Sequence, residues 1–184
     1  RLEGRVLDVV VSPDGEYLLT RSMSNSLVVI WTREGKRVGQ FEQTAFVTSI
    51  RISPDGTKVL IGSADGNVGV WNVSDRRQVS VLGGHRTKIE DIVVSKDGAL
   101  AYCLNTDGDV FVWDLSQYRN ISRVRVDKET IWILPDPLQQ HLLTLSLSGN
   151  IDSRRMHSLA PTDMQDLHLA KFACKIPLAI RRQT

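Results

Sequence analysis

At 184 residues, 41% of them hydrophobic and 24% charged, the chain has the make-up of an ordinary globular domain and not of a disordered one. A formal net charge of +2 is too small to argue for nucleic acid or an anionic membrane surface. The longest apolar runs, such as Val9 to Val11 and Ile131 to Leu134, fall far short of a membrane span.

In chain order, Leu2 to Val11 predicts a first strand, turned back by Ser12-Pro13-Asp14-Gly15, in which Pro presets φ and Gly accepts a positive one. Glu16 to Arg21, Leu27 to Trp31 and Arg37 to Phe41 follow as strands, separated by turns at Asn25-Ser26 and Arg33 to Lys36. Short apolar alternations between turns, without helical periodicity, predict an antiparallel meander. The plan repeats as Phe46 to Ile52, Lys58 to Gly62, Asn67 to Val73 and Gln78 to Leu82. It repeats again, after Gly83-Gly84-His85, as Ile89 to Val94, Leu100 to Leu104, Asp109 to Leu115 and Ile121 to Val126. Asp65-Gly66 and Asp107-Gly108 read as two-residue type I′ hairpins.

A fourth unit is eroded. Ile131 to Ile133 and His141 to Ser146 predict its first strands, with Pro135-Asp136-Pro137 in the turn, and Arg154 stands where the second unit has Trp71. A basic residue cannot fill a buried aromatic slot, so this unit is expected to pack differently or to be terminal. Beyond Met156, Thr162-Asp163 predicts the cap of a short helix carrying Met164, Leu167 and Ala170. The apolar tail to Thr184 is expected to dock or to add a strand.

Two independent markers share one period. Trp31, Trp71 and Trp113 are 40 and 42 residues apart, and the turns at Ser12, Ser53 and Ser95 are 41 and 42 residues apart. A repeat of 40 to 45 residues is that of four-stranded propeller blades. With the Ser-Pro-Asp-Gly turns, the Asp-Gly turns, Gly84-His85 and Trp113-Asp114, the chain resembles the WD-repeat (tryptophan–aspartate repeat) β-propeller family over about Val6 to Met156. The expected fold is all-β, four four-stranded antiparallel blades at about 1–41, 42–82, 83–126 and 127–157, the fourth degenerate, with a tail at 158–184. The resemblance implies a closed ring of more blades than four. A fragment of a longer chain is favoured over an open half completed by another protein, and that over a self-completing dimer.

The resemblance also implies, within each blade, a buried network of His, Ser or Thr, turn Asp and Trp. The third blade offers His85, Asp107 and Trp113, with Cys103 and Asn105 where the hydroxyl is expected. The second offers Ser63, Asp65 and Trp71, with Gln43 at the histidine position, and the first offers Asn25 and Trp31. Partners of such blades dock on the rim formed by first-strand starts and by the turns before third strands. Carried over, that rim comprises Arg5, Phe46 and Lys88 with Ser24, Ala64 and Thr106. Phe46 reads as an exposed anchor or, equally, as packing between blades.

No catalytic, cofactor or metal site is expected. The Asp-Gly turns lack a calcium loop's Glu at position twelve, and the four histidines lack zinc spacing with Cys103 or Cys174. Neither a phosphate-cradling Gly-rich loop nor a Gly-x-Ser-x-Gly elbow is present. Arg76-Arg77, Arg154-Arg155 and Arg181-Arg182 read as solvated loops ahead of phosphate contacts, since aromatics for stacking bases are missing nearby. Two cysteines make no disulfide framework and no secretory leader opens the sequence, so a reducing, intracellular location is expected, cytoplasmic or nuclear. The resulting expectation is a non-enzymatic protein–protein interaction scaffold, without cofactor, whose partners are other proteins, further blades among them, and not a membrane. A regulatory or substrate-recognition region of a larger enzyme and a scaffold of a ribonucleoprotein complex are the alternatives.

Overall fold

The computed structural model describes residues 5–22, 26–136 and 141–155. These form four antiparallel sheets in sequence order and no helix. The first sheet contains β1 (Val6–Val11), β2 (Tyr17–Ser22), β3 (Leu27–Thr32) and β4 (Arg37–Glu42). The second contains β5 (Val47–Ile52), β6 (Lys58–Ser63), β7 (Val68–Asn72) and β8 (Gln78–Leu82). The third contains β9 (Ile89–Val94), β10 (Leu100–Asn105), β11 (Asp109–Asp114) and β12 (Arg119–Arg125). The fourth has three described strands, β13 (Thr130–Pro135), β14 (His141–Ser146) and β15 (Ile151–Arg155). Each sheet is a meander in which every strand pairs with its sequence neighbour. The expected helix at 162–170 and the tail lie outside the described residues.

The hydrophobic cores lie between sheets, not within one. Leu19, Val28, Ile30 and Phe41 of the first sheet pack on Val47, Ile50, Val59 and Ile61 of the second. Leu60, Val68, Val70 and Leu82 meet Ile89, Ile92, Cys103 and Trp113 of the third. Tyr102, Leu104, Val110 and Val112 meet Ile133 and Leu142 of the fourth. Buried side chains of this size contribute about 1.5 to 3 kcal/mol each, so each interface is a core in its own right. β1, β5, β9 and β13 touch in succession, which makes the first strand of every sheet the innermost one. The outward faces of the end sheets stay open, with Val9 54% and Val11 55% exposed at one end and Trp132 44% and Leu134 41% at the other.

The turns correct one expectation. Asp65 and Asp107 keep negative φ, and only the glycines behind them are positive, Gly66 at 83° and Gly108 at 77°. Gly66 N donates to Ser63 O at 3.2 Å while Ser63 N donates to Asn67 O at 3.0 Å. These are three-residue loops, a type I turn followed by a left-handed glycine, in place of type I′ hairpins. At Asp65 the side chain explains the choice, while at Asp107 the Asn105 Oδ1 accepts both turn N–H groups, from Asp107 and Asp109. Ser63 Oγ donates to Asp65 at 2.5 Å, and the same carboxylate accepts Asn67 N at 3.1 Å. Ser12–Asp14, Ser53–Asp55 and Ser95–Asp97 repeat that bond at 2.5 Å. In Asp55 the Ser53 hydroxyl foremost pulls the carboxyl down to about 2.

Every first strand also carries a β-bulge against its neighbour, at the same place in all four sheets. A second bulge recurs beside Trp31, Trp71 and Trp113, where the fourth strand has one extra residue. An extra residue bends and twists the strand locally. The alternation of apolar residues gave no sign of these bulges.

Candidate functional site

The aromatic network departs from its expected form in the second and third sheets. Trp113 Nε1 donates to His85 Nε2 at 3.3 Å. His85 Nδ1 then meets Gly66 O at 2.8 Å, in the turn of the preceding sheet, and not the Asp107 carboxylate. An indole N–H can only donate, so Nε2 is the acceptor and Nδ1 carries the proton. Burial pushes the imidazole pKa down, outweighing the Gly66 carbonyl, and the ring is neutral. Phe111 stands edge-on to it at 4.5 Å. Asn105 replaces the expected hydroxyl, donating from Nδ2 to His85 O at 2.6 Å and accepting Asp109 N at 2.9 Å. Cys103 is buried in the core between sheets. His85 therefore stitches two blades, where a network inside one blade was expected.

In the second sheet, Ser63 serves the turn and does not reach Trp71. Asp65 accepts from Ser63, Asn67 and Thr44, and these bonds hold its carboxyl below the ordinary value although burial pushes it up. Gln43 Nε2 donates to Ile61 O at 3.1 Å, and Trp71 Nε1 finds no acceptor among the described residues. In the first sheet, Trp31 Nε1 donates to Thr20 Oγ1 at 2.9 Å. Strand register shows why Thr20 was missed: it pairs with Val29 two residues before Trp31, where the second and third sheets have Ile61 and Cys103. Asn25 lies outside the described residues.

The rim positions come together in pairs. Ala64 N donates to Phe46 O at 2.9 Å, and Thr106 N donates to Lys88 O at the same distance. Phe46 is 60% exposed, so its side chain is not packed between blades. Arg5, Ala64 and Lys88 are exposed and Thr106 is half-buried. Lys88 Nζ pairs with Glu90 at 2.8 Å. The fourth sheet repeats the bond as Leu147 N to Glu129 O at 2.9 Å, which adds a pair that the eroded repeat concealed; Leu147 is 73% exposed. Ser24 lies outside the described residues.

Two buried carboxylates were not foreseen. Asp91, 3% exposed on β9, accepts Arg51 Nη2 from β5 at 2.6 Å, Ile92 N at 2.9 Å and Ile133 N from β13 at 3.2 Å. It thereby ties three sheets at their innermost strands. Burial pushes its carboxyl up to about 6 despite Arg51. Asp109, also 3% exposed, accepts Arg123 and Arg125 at 2.6 and 2.7 Å, and these outweigh its burial to hold its pKa low. A charged residue inside an apolar strand, as in Ile89-Glu90-Asp91-Ile92, was the available signal. No group of three or more His, Cys, Asp and Glu side chains among the described residues could hold a metal ion. A cavity of about 510 Å³ between the first two sheets is lined by residues such as Tyr17, Thr57, Asn72 and Arg76, and by no carboxylate, histidine or cysteine.

Comparison with known proteins places this geometry. The model of the WD domain, G-beta repeat, matches residues 35–72 and 76–114. Each match covers the fourth strand of one sheet and the first three of the next. The chain is 33% identical over 67 residues to human U3 small nucleolar RNA-associated protein 18 homolog, covering 36% of this chain and 12% of that protein. It is 31% identical over 77 residues to the mouse tRNA (guanine-N(7)-)-methyltransferase non-catalytic subunit WDR4, covering 40% and 19%. To ribosomal RNA-processing protein 9 of Saccharomyces cerevisiae it is 26% identical over 91 residues, covering 47% and 16%. The matches thus span less than a fifth of each relative's length. Among solved structures, Kuenenia stuttgartiensis hydrazine synthase superposes with a TM-score of 0.72 at 18% identity, over 80% of this chain and 45% of that one, a likeness of fold alone. With repeat matches falling on strands that build successive antiparallel blades, the chain carries two WD repeats within a β-propeller fold.

Proposed function

We propose that the chain is a non-enzymatic scaffold segment, intracellular and part of a multiprotein assembly, that docks other proteins on the rim formed by Arg5, Phe46, Ala64, Lys88 and Thr106. Phe46 carries this reading: a phenyl ring 60% exposed at a rigid strand start is a ready anchor for a partner. The support beneath it is stiff, because Phe46 O and Lys88 O are tied to the adjoining turns and His85 locks those turns together. Rigid sheets that hold loops in fixed positions suit recognition. One relative is named as a non-catalytic subunit, which supports the non-enzymatic reading. Ser24 is assigned to the same rim by its place in the repeat. Further blades, on the same or another chain, cover the apolar faces around Val9 and Trp132.

A photo-cross-linking amino acid at position 46, compared with one at the exposed Val81, tests the docking rim. Discrete protein adducts at 46 that disappear with Lys88→Glu support it. Equal adducts at 46 and 81, or none at 46, refute it. The names of two relatives, in RNA processing, favour a second reading as a scaffold of a ribonucleoprotein assembly.

A further inference from the structure

One repeated position is filled differently at two interfaces. Arg76 and Tyr118 each stand five residues after a blade tryptophan, Trp71 and Trp113, and both adopt a left-handed backbone, with φ of 58° and 52°. Tyr118 lies against the core between the second and third sheets. Arg76 stays exposed, its stem crossing Gly39 and its Nη1 donating to Val38 O at 2.9 Å. The interface it serves, between the first and second sheets, holds the cavity of about 510 Å³, with Ile30, Val38 and Val73 as aliphatic walls. The place of an aromatic plug at one interface is thus taken at the other by an arginine beside an open space.

We propose that this cavity binds a carboxylate carried on an aliphatic stem, supplied by the last residue of a partner's chain or by a small free acid. Three features select that chemistry. The Arg76 guanidinium keeps donors beyond the one spent on Val38 O, and it has no carboxylate partner among the described residues. Asn72 and Ser74 line the same space, and neither side chain has a hydrogen-bond partner among the described residues, whereas Thr57 Oγ1 is committed to Asp55 at 2.8 Å. Arg76 is also the one cation among the described lining residues, so it balances the single charge of a carboxylate and not the nearly double charge of a phosphate. The aliphatic walls take the stem, and the volume is that of a small-ligand site, too small for a folded surface. The cavity lies at the far end of β5 from Phe46 and does not depend on the rim.

Fluorescence anisotropy with the full 184-residue chain tests the proposal. The probes are a labelled six-residue Gly/Ser peptide ending in leucine with a free carboxylate, its C-terminal amide, and the free acid ending in glycine. Unlabelled N-acetylleucine and the unlabelled leucine acid peptide are the competitors. The leucine acid is expected to bind about tenfold more tightly than either the amide or the glycine acid, the worth of one charge-assisted contact or one buried aliphatic group. Arg76→Gln, which removes the charge, and Arg76→Tyr, which copies the plug of Tyr118, are each expected to weaken it about tenfold without lowering the urea midpoint, while Arg77→Gln changes nothing. Displacement by N-acetylleucine as readily as by the peptide assigns the site to a free acid, and displacement by the peptide alone assigns it to a chain end. Equal binding of acid and amide, equal binding of the leucine and glycine ends, indifference to both Arg76 variants, or no binding of the leucine acid overturns the proposal.

Discussion

Removing the His85 ring tests whether adjacent blades are coupled as described. In His85→Ala, Gly66 O and Trp113 Nε1, bonded to the ring at 2.8 and 3.3 Å, both lose their partner inside the protein. Each orphaned buried group costs about 1 to 3 kcal/mol. Losing the edge-on Phe111 contact adds about 0.5 to 1.5 kcal/mol. The expected loss is about 4 kcal/mol, a large part of the stability of a domain of this size. His85→Gln should lose only about 2 kcal/mol. Gln43 holds the matching position one blade earlier, where its amide reaches a carbonyl but leaves the Trp71 indole without an acceptor. Urea unfolding followed by tryptophan fluorescence, with circular dichroism as a second probe, measures both variants. A loss below about 1 kcal/mol for alanine, or a glutamine variant no better than alanine, would refute the stitch between blades.

Gly69 should tolerate no side chain, since a Cβ there would lie 2.2 Å from Gln43 Nε2 and 2.7 Å from Trp71 Nε1. Gly69→Ala is expected to lose about 1 to 3 kcal/mol in thermal unfolding, and Gly39→Ala less, because its close neighbour is the flexible Arg76 side chain; equal losses would contradict this. Burial lets Asp91 keep its proton to about pH 6 in the folded chain, where a solvated aspartate loses it near 3.8. The stability it contributes is therefore full below about pH 4 and lost as pH rises to about 6, on the order of 3 kcal/mol. His85 acts the other way, since burial depresses its pKa and stability falls as pH drops below 6.5. Subtracting the Asp91→Asn unfolding profile from that of the parent isolates the carboxyl, and a flat difference from pH 4 to 6 would refute its burial effect.

The repeat and the strand order were legible in the sequence because they depend on local chemistry. Pro, Asp and Gly set turns through their own backbone preferences, and alternating apolar residues mark strands with a buried face. Two tryptophan intervals agreeing with two turn intervals identified the blade without any knowledge of its neighbours. Phe46, Ala64, Lys88 and Thr106 were named through the family resemblance, which carries rim positions over to strand starts and turns that the local pattern fixes.

What the tertiary structure decided lies across sheets. That His85 reaches Gly66 O depends on how one blade seats on the next, and no spacing within a repeat encodes it. Thr20 meets Trp31 through pairing of β2 with β3, where a register shift of one residue would turn the hydroxyl to the other face. The type I turn at Asp65 replaced a type I′ hairpin because the Ser63 hydroxyl and the Asn67 N–H both claimed the Asp65 carboxylate. Asp91 draws its partners Arg51 and Ile133 from strands roughly 40 residues away on either side. Sequence determines a residue's local geometry; the distances and solvent exclusion that give the Asp91 carboxylate a pKa near 6 exist only once the blades pack.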